Sequence, residues 1–335
     1  PVSSFDQALQ GRVAGVNVTS SDGQPGTDFS IVIRGANSLT QDNSPLYVID
    51  GFPIESFSNA ALNPDDIASM TILKDASATA IYGSRGANGV IIIETKKGQV
   101  GKAKVSYSGT FGVQTVTKTI DMMTPYDYVE YQIERDPSLE AIYLVKENRT
   151  MDDYRSLKGI DWQDKIFRTA FVHMHNVSVR GGNKQTKYAL SASMNDQDGV
   201  IENSGYKKYQ GRMSVDQKIS KYVDLHAGIN YTQDKVSGQT SASALSSTNS
   251  YATYLMYRTW AFRPFLLKNQ SLEEVFDDGE TATGVMNPYT TTLNEQRNTR
   301  RTTLMANAKL DIKLAKSLKL SVSGGYTNYH SRLTE

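Results

Sequence analysis

From Lys104 onward the chain alternates apolar and polar residues in seven separate runs. Val105, Tyr107, Gly109, Phe111 and Val113 alternate with Lys104, Ser106, Ser108 and Thr110. The pattern returns as Tyr188, Leu190, Ala192 and Met194 against Lys187, Ser191 and Ser193, then as Tyr209, Met213, Val215 and Ile219 against Lys208, Arg212, Asp216 and Lys218. Val223, Leu225, Ala227, Ile229 and Tyr231 face Asp224, His226 and Asn230; two more runs cover 304–314 and 318–326, and 173–181 is a weaker member. A period of two puts one set of side chains on each face of a strand. The second half of the chain is therefore a sheet with one greasy face and one polar face.

The links between these runs narrow the topology. Tight turns at 181–185, 220–221 and 315–317 alternate strictly with long links at 117–170, 196–206 and 235–300. Short periplasmic turns alternating with long extracellular loops are what bacterial outer-membrane barrels require. For the strands alone, a soluble β-sandwich is the alternative. A sandwich buries its apolar face in a core, whereas a barrel shows that face to lipid and keeps lysines and aspartates inside.

Composition removes other classes. Lys+Arg 36 against Asp+Glu 35 gives +1 over 335 residues, with the basic residues dispersed, so no field for nucleic acid is built. The absence of cysteine rules out disulfides and thiolate metal sites. No run reaches the ~18 apolar residues of a membrane-spanning helix, which excludes a helical membrane protein but not a barrel. Tyr outnumbers Phe 19 to 10, which suits membrane-interface girdles, sugar-binding surfaces and ordinary β surfaces alike. Pro1 is no translation start and no signal segment precedes it, so the chain reads as a fragment or a processed chain.

The densest motif is 63–98, NPDDIASMTILKDASATAIYGSRGANGVIIIETKKG. Asn63 is a helix cap, Pro64 suits a first helical position, and Asp65 and Asp66 favour the positive end of a helix. A strand is expected over 70–73, a second helix over 76–81 capped by Asp75 and stopped by Gly83, and a buried strand over 90–94. Upstream, a short helix is expected over 4–9, Val13, Val16 and Val18 open the sheet, and strands cover 31–33 and 46–49 with a turn at Asp50–Gly51.

The 63–98 run, with FSIVIRG at 29–35, PLYVIDGFP at 45–53 and ALQGRVAGVNV at 8–18, resembles the plug signature of TonB-dependent outer-membrane transporters, in their SusC/RagA branch. The resemblance is dense over 7–100 and diffuse afterwards. It implies a small mixed α/β plug domain over 1–100, followed over 101–335 by antiparallel transmembrane β-barrel strands. These form only part of a barrel, since plugged transporters close with 22 strands. The signature turns are Gly35, Asp50, Gly51, Lys74, Asp75, Gly83, Gly86, Asn88 and Gly89. In the family, the plug arginines of the IRG and SRG motifs, here Arg34 and Arg85, face carboxylates of the barrel wall and clamp the plug. By analogy the loops 36–44 and 52–62 are plug apices, which makes Asn37, Gln41, Asp42, Asn43, Glu55, Phe57 and Asn59 the expected ligand contacts.

No active site assembles. The triplet Gly83, Gly86, Gly89 lacks a P-loop Lys-Ser/Thr and precedes a strand rather than a helix, so it reads as a turn. Asp65–Asp66 reads as helix N-terminal charge. His173 and His175 share a strand face without a third metal ligand, and the serine-rich 238–250 has no nucleophile-elbow context. No catalytic residue, metal or cofactor is expected. The resemblance implies import of a nutrient, an oligosaccharide or peptide, with TonB and a SusD-like surface lipoprotein as partners and outer-membrane lipid around the barrel. The alternatives are a siderophore or cobalamin receptor with the same plug, and a soluble β-rich binding or adhesion module.

Overall fold

The computed structural model describes residues 6, 9–19, 23–27, 29–35, 43–54, 61–75, 80–238, 255–268, 270–272 and 285–334. In the N-terminal unit, β1 (Val16–Thr19) pairs antiparallel with β2 (Ser30–Ile33) as a separate two-stranded ladder. The main sheet contains β3 (Leu46–Ile49), β4 (Phe52–Ile54), β5 (Ile67–Leu73) and β6 (Val90–Thr95) in the order β4-β3-β6-β5. Val16 and Val18 were expected to open that sheet; their partner is Ser30–Ile33 instead, and Val18 packs over it.

Strands β3 and β6 run parallel, and both of their faces are covered. Tyr47, Ile49, Ile91 and Ile93 join Val18, Ile31 and Ile33 in one core, while Leu46, Val48 and Val90 form a second with Leu73 and Tyr82. Burial on both sides explains why LYVI and VIII carry no alternation. Asp50 (φ 50°) and Gly51 (φ 90°) make the two-residue left-handed turn that folds β3 onto β4.

Several boundaries differ from expectation. The first helix is a single 3₁₀ turn, Pro64–Asp66, with the Asn63 side chain accepting from Asp65 N at 3.0 Å. The following ladder begins at Ile67 because the acidic pair ends the turn directly against β6. The second helix is a 3₁₀ piece that stops, as expected, at Gly83 (φ 61°, ψ −149°), and a further 3₁₀ piece runs from there to Gly86; residues 76–79 lie outside the described residues. The expected apex loop 52–62 starts late, because Phe52–Ile54 pairs with β3. Of the expected helix over 4–9, only Asp6 and Leu9 are described.

Of Gly35, Gly51, Gly83 and Gly89, Gly89 alone has no room for a side chain. Its φ is +93°, and an added Cβ would stand 2.8 Å from Ile33 Cδ1. Gly35, at φ +92°, has open space at the same position. Gly89→Ala is therefore expected to destabilise the unit by about 2–4 kcal/mol, combining backbone strain with overpacking. Gly35→Ala should show the smaller, strain-only loss. Hydrogen exchange at the Ile31–Ile33 amides measures both.

The remainder is one seven-stranded antiparallel sheet in chain order. It comprises β7 (Gly101–Gln114), β8 (Ala170–Gly182), β9 (Thr186–Asp198), β10 (Gly205–Lys218), β11 (Val223–Ser237), β12 (Asn298–Ala315) and β13 (Leu318–Thr334). The shortest has 13 residues, more than the ~9–11 a tilted strand needs to cross a bilayer. The link expected at 196–206 is short, since pairing continues to Asp198 and resumes at Gly205.

The two long links are folded. Helices α1 (Pro125–Arg135), α2 (Met151–Ser156), α3 (Trp162–Ile166), α4 (Leu255–Ala261) and α5 (Pro288–Asn294) surround two small cores. Tyr128, Tyr143, Tyr154 and Phe265 centre one, and Trp162, Phe262 and Val285 the other. The Trp162 indole donates to Arg263 O at 2.8 Å, so the links before β8 and before β12 form one layer over the same end of the sheet.

Candidate functional site

The polarity of the long sheet is inverted relative to a soluble protein. Among the described residues of the inner strands β8 to β12, Val177, Leu190, Tyr209, Met213, Ile229 and Tyr231 are exposed. On the opposite face Asn176, Asn195, Lys208, Gln210, Arg212, Asn230, Thr232, Asp234, Arg301 and Thr303 are buried. What covers that polar face is the N-terminal unit. The sheet is thus a wall whose greasy side points outward and whose charged side holds a folded stopper, which excludes the sandwich alternative.

The seat is built largely from wall side chains reaching backbone carbonyls. Lys208 Nζ donates to Leu62 O at 3.2 Å, and Asn230 and Thr232 donate to Ala61 O at 2.9 and 3.0 Å. Arg301 donates to Gly26 O at 2.8 Å and to Asp234 Oδ2 at 2.7 Å. Arg212 donates to Lys96 O at 3.1 Å and to the Thr95 hydroxyl, and lies 3.6 Å from the Asp50 carboxylate. Asp50 is fixed in turn by Thr95 N and Oγ1, at 2.9 and 2.6 Å, so the β3–β4 turn, β6 and the wall meet at one carboxylate. Apolar fastening is sparse: Met305 reaches the main core of the N-terminal unit, and Tyr206 lies against Gly26. A cavity of about 310 Å³ remains between the Asp50–Gly51 turn and the last two strands.

Asp66 is a buried acid that the N-terminal unit itself brings to the seat. Gln210 donates to it at 3.2 Å. Burial raises its pKa above 3.8, partly offset by the Ser191 hydroxyl and by Arg212, Lys96 and Lys208. Its contribution to docking is fully present below pH 3.8 and is lost as pH rises through the raised value. Asp66→Asn is therefore expected to flatten the pH dependence of plug release above pH 3.8, read as urea-induced protease access in the full-length protein.

The signature turns hold the N-terminal unit together. Lys74 Nζ donates to Ala14 O, and Arg34 pairs with Asp75 at 2.6 Å within the unit, both more than half exposed. Arg34 and Gly35 turn left-handed after β2, where Arg34 N donates to Gly15 O at 2.9 Å. Gly86 is buried and its carbonyl accepts from Gly89 N at 3.0 Å, while Asn88 Nδ2 donates to Ser44 O at 3.5 Å. Arg85 is exposed at the end of the Ala80–Gly86 segment. Asn43 is half-buried; Asn37, Gln41, Asp42, Glu55, Phe57 and Asn59 lie outside the described residues. His175 Nδ1 is hydrogen-bonded to the Tyr107 hydroxyl at 2.7 Å, and no group of three metal-binding side chains occurs among the described residues.

Fold and polarity together define a plugged outer-membrane β-barrel receptor. Residues 1–90 match the TonB-dependent Receptor Plug Domain family. The chain is 40% identical over 215 residues to the TonB-dependent receptor SusC of Bacteroides thetaiotaomicron, covering 62% of this chain and 20% of that protein. It is 38% identical over 245 residues to the TonB-dependent receptor P3 of Formosa agariphila, covering 71% and 22%. A chain of the RagAB peptide importer in its closed-closed state superposes with TM-score 0.80 at 25% identity, over 99% of this chain and 40% of that one. Residues 1–90 are a TonB-dependent receptor plug, and together with the part of a barrel that follows they match the SusC-type TonB-dependent receptors. The chain spans about a fifth of the length of the curated relatives it matches.

Proposed function

We propose that the protein containing this chain imports a peptide or oligosaccharide across the outer membrane, powered by TonB and assisted by a SusD-like surface lipoprotein. The observation that carries this reading is the polar seat. Bonds from wall side chains to plug carbonyls are worth about 1 kcal/mol each, so a pulling force can break them in succession, whereas a continuous apolar interface would hold as a unit. Similarity to a chain of the RagAB peptide importer favours a peptide-like nutrient over an iron chelate. Asn37, Gln41, Asp42, Asn43, Glu55, Phe57 and Asn59 are proposed to touch the cargo, and Arg34 and Arg85 to face wall carboxylates outside this chain.

Growth of a deletion strain tests the cargo class. Complementation with the alanine variant of Asn37, Gln41, Asp42, Glu55, Phe57 and Asn59 should restore the barrel but leave growth on peptide or glycan mixtures impaired. A defect confined to iron-limited medium would instead select the siderophore reading.

A further inference from the structure

The strand register aligns a second feature on the outward face. Phe111 pairs with His173, His173 with Asp196, Asp196 with Lys207, Lys207 with Lys235, Lys235 with Arg300, and Arg300 with Arg332. Four consecutive strands, β10 to β13, thus present a basic residue at one level. Their neighbours Tyr209, Tyr231, Ile229 and Tyr326, on the same face toward the short turns, are exposed and apolar or aromatic. Lys207 is paired with Asp196 at 2.7 Å. Lys235, Arg300 and Arg332 have no ion-pair partner among the described residues.

Adjacent strands lie about 4.8 Å apart, and like charges directly opposite one another repel. Three uncompensated cations in a row are therefore unfavourable in this chain alone, and an anion laid along them removes the repulsion. The row stands just beyond the apolar band on the side of the long links, the extracellular side of a barrel. At that depth the surroundings are lipid headgroups. We propose that Lys235, Arg300 and Arg332 bind the phosphate of an anionic lipid in the outer leaflet, with the guanidinium pair gripping phosphate oxygens. The inference rests on the membrane orientation of the strands and is independent of the cargo.

The test uses the full-length protein in dodecyl maltoside micelles, with native mass spectrometry counting bound didecanoyl phosphatidic acid against didecanoyl phosphatidylcholine. Wild type should retain the phosphatidic acid preferentially. The variant combining Lys235→Gln, Arg300→Gln and Arg332→Gln should lose more than about tenfold, since each basic residue at an anionic surface contributes roughly fivefold. The charge-keeping variant Lys235→Arg, Arg300→Lys, Arg332→Lys should recover binding, and Lys221→Gln with Lys316→Gln, in the short turns, should leave it unchanged. Equal binding of the two lipids, an unaffected Gln variant, or displacement of the lipid by equimolar inorganic phosphate would overturn the proposal.

Discussion

Replacing Arg301 by alanine should weaken plug docking by about 3–5 kcal/mol, the range for removing one partner of a buried ion pair. Arg301 and Asp234 are 9% and 3% exposed and face each other on β12 and β11. With the plug withdrawn, lumen water hydrates Asp234, so the loss of its guanidinium matters little there. With the plug seated, the carboxylate is shut from water beside Gly26, whose carbonyl also loses a donor. The penalty therefore falls on the docked state alone. Replacing both residues, with Arg301→Met and Asp234→Leu, should recover most of it. Urea-dependent protease access to the plug provides the reading; a single variant within about 0.5 kcal/mol of wild type would exclude this account of the seat.

The second large effect lies on the other face. Ile229 sits between Met213 and Ala306 in register, in the middle of the apolar band. Ile229→Lys should cost about 2–4 kcal/mol at the bilayer midplane, falling to about 0–1 kcal/mol for Gln233→Lys, nearer the headgroups on the same strand and face. Reversible folding of the full-length protein into phosphatidylcholine vesicles measures both. Equal costs at the two depths would mean that the face does not sit in hydrocarbon.

The wall was legible because alternation is written directly into its residues. Its true length was not: near Asp198, Gly205 and Asn298 both faces are polar, so the period-two signal fades while pairing continues. The helices of the long links escaped notice because they are short and held by caps, such as Thr124 ahead of Pro125 and the Thr150–Asp153 box. In the plug, the glycines and the Asp50–Gly51 turn were readable as backbone requirements. The seat was only half readable. Lys208 and Arg212 were recognisable as inward-facing, but their acceptors include the carbonyls of Leu62 and Lys96, which any side chain could carry.

Cysteine scanning tests the inverted polarity most directly, because this chain contains no cysteine of its own. Spin labels placed singly from Ala227→Cys to Thr232→Cys, in full-length protein reconstituted into lipid, report collisions with oxygen dissolved in hydrocarbon. Oxygen accessibility should peak at 227, 229 and 231 and drop at 228, 230 and 232, where the plug lies. Minima at 227, 229 and 231 would place those side chains in a dry protein interior and contradict the account.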